Sequence, residues 1–460
     1  MKRQLLLFYV FFLLVFLLTA RLPFFWDKDI LYSRMAHWFL DNNFRMLPVD
    51  LDPGYPPSLG YLLALGWKIT GESMFTAHLL MLPFTLGIIW QTRILLDHWF
   101  RGKAVTLAMV LIMADTTLLA QTVMFSTDLV MLFFMLLALN SIHRNRRMLL
   151  ALAVTGLLFS HMRGLMVAGS LGIYDIYRNA GKKAIISVIP AWLPALALFG
   201  AWTVFHYATT GWIGYHDGSP WAPCFERVDF PGFLKNTGIL LWRLVDFGKL
   251  FLWIVTGISL WLFLKKKLKA DDSLRSIVLL ITLSLLFSAP SMLFYAMLNG
   301  HRYLIPVYYF LAVAVAYVLF VRPETLRFRK AMTILVFTGL LSGSFWIYPD
   351  KIAKGWDATL AHLPYHHLRK KMISYIDSRH IPFDQVGSEI PNTYRIDFIE
   401  QNGDERLFPV ADLQRHPYVF YSNVFNMFTD AQLDELKNEW KVVEEYRWLQ
   451  VRVTLYGRGK

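Results

Sequence analysis

Charge and cysteine are both scarce in this chain of 460 residues. Only 17% of the residues are Asp, Glu, Lys or Arg, where a soluble protein carries about a quarter. Hydrophobic residues make up 56% and aromatic residues 16%, so the composition is that of a membrane protein. The single cysteine, Cys224, excludes a disulfide framework and a cysteine-based zinc site. Neither an internal repeat nor a low-complexity tract is present. Acids are scarcer than bases, 33 against 46, for a net charge of +13. That excess sits in short clusters between apolar runs, where it reads as topology signals and lipid-headgroup contacts, and nucleic acid is not needed as a partner.

Apolar segments long enough to cross a bilayer, or nearly so, fall at about 4–20, 74–96, 104–119, 123–142, 184–205, 246–264, 274–297, 303–321 and 331–347. The stretch 148–177 is one long span or two short ones broken at His161-Met162-Arg163-Gly164. Charge placement decides between them. With two spans, every dense basic cluster falls on one side: Lys2/Arg3, Arg101/Lys103, Arg144/Arg146/Arg147, Arg178/Lys182/Lys183, Lys265/Lys266/Lys267/Lys269 and Arg322/Arg327/Arg329/Lys330. With one span, the later clusters face the wrong way. The expectation is a mainly α, polytopic protein of about eleven transmembrane helices, with its N-terminus cytoplasmic and its C-terminus outside. The first run, Leu5 to Ala20, is longer than a signal-peptide core and is followed by Arg-Leu-Pro, so it reads as a retained span, with a cleaved signal as the alternative.

Three pieces are expected on the outer side. The loop 21–73 contains an amphipathic segment, Ile30 to Leu40, expected as an interfacial helix with its apolar face on the membrane. The turn from Asp52 to Ser58 follows, and then a helix from Leu59 to Thr70. The second piece, about 206–245, is rich in Gly, Pro and aromatics and reads as irregular. The third, 350–460, drops in hydropathy and reads as a small α/β domain following a membrane domain at 1–349. In it Thr429 and Gln432 form a capping box before a short helix, and 418–425 and Val442 to Tyr456 read as strands.

The candidate chemistry lies near the expected outer membrane face. Asp27 and Asp29 follow the first span between Trp26 and the amphipathic helix, where partial desolvation would suit a carboxylate to accept a proton; the alternative is a simple marker of the water interface. Asp128 sits near the outer end of a span, where an unpaired acid is costly, so it is either a functional group or satisfied by Ser126, Thr127 and an arginine. Asp115 reads as a helix-packing group. Arg163, in the 161–164 break, and Arg302, just before a span, either snorkel to headgroups or hold a phosphate bidentately, with His301 and Tyr303 assisting. Arginines and acids at that depth, beside outer loops, fit group transfer from a polyprenyl-phosphate carrier, with a carboxylate deprotonating the attacking hydroxyl.

Short elements occur in this order: Trp26-Asp27-Lys28-Asp29 with Tyr32, Tyr55-Pro56-Pro57-Ser58-Leu59, Ser126-Thr127-Asp128, Met162-Arg163-Gly164, and Arg302-Tyr303-Leu304-Ile305-Pro306. Together, over residues 1 to about 350, they resemble the multispanning GT-C glycosyltransferases, in the branch of protein O-mannosyltransferases and lipid A aminoarabinose transferases. The resemblance implies that Asp27 is the general base or orients the substrate, and that Arg302 and Arg163 hold the donor phosphate. It also implies two departures. Lys28 stands where the branch has its second acid, which leaves Asp29 as a possible substitute, and Tyr55 replaces the lysine or histidine before Pro-Pro, altering a donor-phosphate contact.

The resulting expectation is an integral glycosyltransferase of the cytoplasmic (inner) membrane. It moves a single sugar from a polyprenyl-phosphate donor to a glycolipid, glycan or protein acceptor on the outer, periplasmic side. No nucleotide is required, and a divalent metal bridging Asp27, Asp128 and the donor phosphate is possible, although no dedicated ligand set is apparent. A transporter or flippase would place ionisable groups near the bilayer midplane, often within repeats, and a noncatalytic envelope-assembly protein would use the tail to bind partners. A tag placed after Lys460 is expected to be cut by protease added from outside the cell membrane; protection of that tag would reverse the orientation.

Overall fold

The computed structural model describes residues 2–179, 184–322, 328–352, 355–425 and 427–459; the side chains of Lys2, Arg3, Asp27 and residues 184–187 lie outside that description, as do Lys182, Lys183 and Arg327 altogether. The chain is mainly helical. Helix α1 (Lys2–Thr19) is followed by α2 (Asp27–Asp41) and α3 (Ser58–Thr70) in the first loop. Then come α4 (Met74–Trp99), α5 (Lys103–Met113), α6 (Thr116–Thr122), α7 (Thr127–His143), α8 (Arg147–Ser160), α9 (Met162–Arg178) and α10 (Ala184–Thr210). The series continues with α11 (Phe230–Val245), α12 (Leu250–Lys265), α13 (Asp272–Phe294), α14 (Ile305–Phe320) and α15 (Arg329–Ser342).

Each expected span falls on a helix. By length and composition, four helices are able to cross a membrane among the described residues, or six if each of two bent pairs counts as one span. The ambiguous 148–177 stretch is two helices, α8 and α9, separated at His161, whose extended backbone and Nδ1 cap the N–H of Arg163 at 3.1 Å. The span expected at 104–119 is not one straight helix. Asp115 adopts an extended conformation and accepts from Leu118 N at 2.9 Å, so it starts α6 afresh at 74° to α5. Hydropathy is blind to such a cap, because the residues on both sides remain apolar.

Two expectations for the outer loops change. The apolar face of α2 (Ile30, Met35, Phe39) does not lie on a membrane: all three residues are fully buried, packed against Leu59, Leu63 and Trp67 of α3. A matching apolar face on the neighbouring helix removes that surface from solvent and lipid alike. The segment 230–245, read as irregular, is helix α11. Asp229 accepts from Gly232 N at 2.9 Å and Pro231 occupies the first turn, where its missing N–H costs nothing, so the Gly and Pro content marks a start and not a loop.

Beyond residue 355, α16 (Pro364–Ser378), α17 (Ile396–Glu400) and α18 (Asp430–Asn438) surround strands β1 (Val386–Ser388), β2 (Tyr418–Ser422), β3 (Trp440–Trp448) and β4 (Val451–Arg458). The sheet order is β1-β2-β4-β3, with β1 parallel to β2 and the other pairs antiparallel. The Thr429–Gln432 capping box is formed. The stretch expected as one strand, Val442 to Tyr456, is a hairpin turned at Leu449-Gln450, with Leu449 in the left-handed region at φ 52°.

This C-terminal region does not hang free of the helices. One core joins Phe25, Ala120 and Met124 to Trp356, Tyr365 and Phe425. The Phe25 ring stacks on His362 at 3.9 Å between centroids, and burial holds that imidazole's pKa down at about 4, so the stack is between neutral rings at physiological pH. Phe25→Ala is expected to cost about 3 kcal/mol or more through the cavity it opens. The measurement is unfolding of the detergent-solubilised protein together with protease cleavage in 355–459, which should become faster; unchanged cleavage would mean that the stack does not hold the two parts together.

Candidate active site

The site is built around the carboxylate of Asp128, in the first turn of α7 and 1% exposed. Lys28, in the first turn of α2, places Nζ 2.9 Å from Asp128 Oδ2 and also reaches Gln121 Oε1 at 2.8 Å and Ser126 Oγ at 3.3 Å. Arg163, at the start of α9, donates from Nη1 to Asp128 Oδ1 at 2.6 Å. Arg302 comes from the short 3-10 turn His301–Leu304; its Nε lies 3.7 Å from Asp128 Oδ2 while its Nη1 donates to Asp357 Oδ2 at 2.8 Å. The ring of Tyr303 lies under both guanidinium groups, 4.0 Å from Arg163 and 5.5 Å from Arg302. Burial pulls the pKa of the Lys28 ammonium down, and the Asp128 carboxylate opposes that pull.

Beside this cluster lies a cavity of about 390 Å³, within the range of small-ligand sites. Its charged lining among the described residues is Lys28, Arg243, Arg302, Asp52 and Asp357. Asp357 is already bound to Arg302, and Asp52 to His206, whose Nε2 is 2.9 Å from Oδ2. The turn that carries Asp52 needs glycine next to it: Gly54 has φ +69°, and a Cβ there would lie 1.8 Å from the Gly214 carbonyl oxygen. The remaining wall is largely aromatic and apolar, including Trp26, Trp221, Phe225, Met297 and Phe425. Such a lining offers cations to an anionic group and ring faces to a sugar or lipid.

Of the residues that the sequence singled out, Tyr55, His301, Arg302 and Tyr303 line the cavity. Asp128 and Arg163 stand directly behind it, joined to Lys28 and Arg302. Tyr55 bonds Tyr32 through their hydroxyls at 2.9 Å. Burial pushes the Tyr32 phenol up to about 12 and Tyr55 well above its usual value, so both stay protonated. Asp29 is fully buried and does not line the cavity. Asp27 opens α2, and its side chain lies outside the described residues.

Sequence reasoning missed Lys28 as a site residue, reading it only as a departure from an acid. It also missed Asp52, which begins the quoted turn, and His206, Arg243 and Asp357. Arg243 lay in a stretch read as irregular, and Asp357 in a tail with no expected link to the site. Both carboxylate oxygens of Asp128 accept from cations, Oδ2 from Lys28 and Oδ1 from Arg163. Among the described residues, no group of three or more His, Cys, Asp or Glu side chains is arranged to hold a metal ion.

No protein family or curated protein matches the sequence. A solved structure does match: ArnT from Cupriavidus metallidurans bound to undecaprenyl phosphate, at 12% identity and a TM-score of 0.50, covering 98% of this chain and 97% of that one. The chain is similar in fold to ArnT. With 98% of this chain covered, the alignment runs past residue 350, where the sequence resemblance stopped.

Removing the central carboxylate by Asp128→Ala leaves Lys28, Arg163 and Arg302 mutually repelling in a buried place. The expected loss is about 3–5 kcal/mol, seen as a large drop in thermal unfolding temperature in detergent. A variant as stable as the native protein would show that the ion cluster does not organise the site.

Proposed function

We propose that the protein is an integral membrane glycosyltransferase whose cavity takes the phosphate of a polyprenyl-phosphate-linked sugar, and that the acceptor is a glycolipid, glycan or protein. The observation that carries this reading is the set of cations, Lys28 and Arg302 with Arg163 behind them, gathered at one cavity in an ArnT-like fold. The ArnT crystal structure with undecaprenyl phosphate supports a lipid phosphate as the anion. Guanidinium groups bind phosphate through paired charge-assisted hydrogen bonds, and Lys28 adds a point charge.

The chemistry is a single displacement. An acceptor hydroxyl oxygen bonds to the anomeric carbon as the bond from that carbon to the phosphate oxygen breaks, and the electron pair leaves on the lipid phosphate. Arg302 and Lys28 stabilise the charge that develops there, and inversion follows from direct attack. The role of Asp27, orienting or deprotonating the acceptor, rests on the resemblance. Transfer on the outer face of the cytoplasmic membrane follows from the charge pattern of the loops. The C-terminal region, 350–460, supplies Asp357, Val424 and Phe425 to the cavity wall, which makes it the natural acceptor-facing side.

The test is transfer of labelled sugar from membrane lipid extracts by the purified full-length protein. Arg302→Ala and Lys28→Ala are each expected to slow transfer by about 100-fold or more. Donor binding has a separate readout, because Cys224, the lone cysteine, lines the cavity: added undecaprenyl phosphate should slow its alkylation in the native protein and not in Arg302→Ala. Equal transfer by all three proteins would remove the site assignment, and no transfer from any polyprenyl-phosphate sugar would remove the function.

A further inference from the structure

His301 carries a feature that phosphate binding does not use. Its Nε2 lies 2.8 Å from Asp246 Oδ2, in the break between α11 and α12. Asp246 is held in turn: its Oδ1 accepts from Tyr348 Oη at 2.5 Å and from Phe247 N at 2.8 Å. Two groups meet Nε2, the Asp246 carboxylate at 2.8 Å and the donor-only Arg243 Nη1 at 3.3 Å; the nearer carboxylate accepts and does not donate, so Nε2 carries the ring proton and the lone pair is on Nδ1. Among the described residues nothing hydrogen-bonds Nδ1.

The opposite edge of the ring faces Gly355. A Cβ at that position would lie 2.7 Å from Cε1 and 2.8 Å from Nδ1, and Gly355 has φ +114°, which only glycine adopts readily. Only glycine lets the backbone come this close to the ring edge, so Gly355 helps to position the ring, and the approach to Nδ1 is from the cavity that both residues line. His301, Gly355 and Arg302 all line the same cavity, and His301 precedes Arg302 in the same turn. The arrangement is a carboxylate that orients an imidazole, with the free nitrogen beside the cation proposed to hold the leaving phosphate, and it is recognised by geometry and roles.

We propose that His301 Nδ1 takes the proton of the attacking acceptor hydroxyl, with Asp246 as the positioning residue that fixes the ring. This deepens the glycosyltransferase reading and rests on it, and it leaves Asp27 the orienting role. As the acceptor oxygen bonds to the anomeric carbon and the phosphate departs with the bonding pair, the hydroxyl proton passes to Nδ1. The imidazolium so formed is stabilised across the ring by Asp246 and later releases its proton to water. The charged groups that face His301 are Asp246, Arg243, whose Nη1 lies 3.3 Å from Nε2, and Arg302 with its partner Asp357. Tyr348 stands behind Asp246, and Lys249 is at the entry to α12.

The experiment compares native protein, His301→Gln, His301→Gly and Asp246→Asn, all full length, for transfer across pH and for undecaprenyl phosphate protection of Cys224. His301→Gln should keep the protection, lose about 100-fold or more in transfer, and lose the acid limb of the pH profile. Imidazole added to His301→Gly should restore part of the transfer, and Asp246→Asn should slow transfer while displacing the acid limb. Native transfer rates with an unchanged acid limb in His301→Gln would overturn the proposal. So would a His301→Gly protein that still protects Cys224 and is not helped by imidazole. Failure of the native protein to transfer at all is the separate outcome that strikes the glycosyltransferase reading itself.

Discussion

The site depends on one carboxylate placed where lysine and arginine converge. Asp128 brings together side chains from the start of α2, the start of α9 and the turn before α14, elements far apart in sequence. Each of those cations would be costly to bury alone, and Asp128 would be costly to bury without them. The pairing therefore fixes the mutual position of three chain segments and leaves cationic nitrogen at the edge of a cavity. The cluster thus sets both the packing of these segments and the positive character of the cavity's edge.

The packing outside the cluster serves the same end. Two helix breaks, at Asp115 and His161, use side-chain caps to start new helices next to the site. Gln121, on the short helix that Asp115 starts, links Lys28 through its Oε1 to the C-terminal region, since its Nε2 donates to the Asp357 carbonyl at 2.7 Å. The shared core around Phe25 then holds residues 355–357 and 424–425 against the first loop. The cavity wall is thus made by both ends of the chain, and a change in how the C-terminal region docks would reach Arg302 through Asp357.

Much of the helical framework was legible because a long apolar run has few alternatives, and the placement of the basic clusters separated α8 from α9. Asp128, Arg163 and Arg302 were legible for a related reason: a charge beside an apolar run is expensive and so draws notice. What stayed hidden depended on pairing across the chain. Lys28 looked like the loss of an acid, and only its distance to Asp128 shows it as a member of the cluster. Helix α11, with Arg243 on it, was masked by Gly and Pro, whose meaning reversed once Asp229 acted as a cap. The apolar face of α2 was assigned to the membrane because nothing in the sequence said that α3 would cover it, and Asp357 had no local signal at all.

The proposed function requires this cavity to hold a lipid phosphate on Arg302 and Lys28. The most direct measurement is a structure of the full-length protein prepared with undecaprenyl phosphate. The expected result is a phosphate within hydrogen-bonding distance of the Arg302 guanidinium and the Lys28 ammonium, with the polyprenyl chain leading out of the same cavity. A phosphate bound elsewhere, with Lys28 and Arg302 still closed on Asp128 and Asp357, would contradict it.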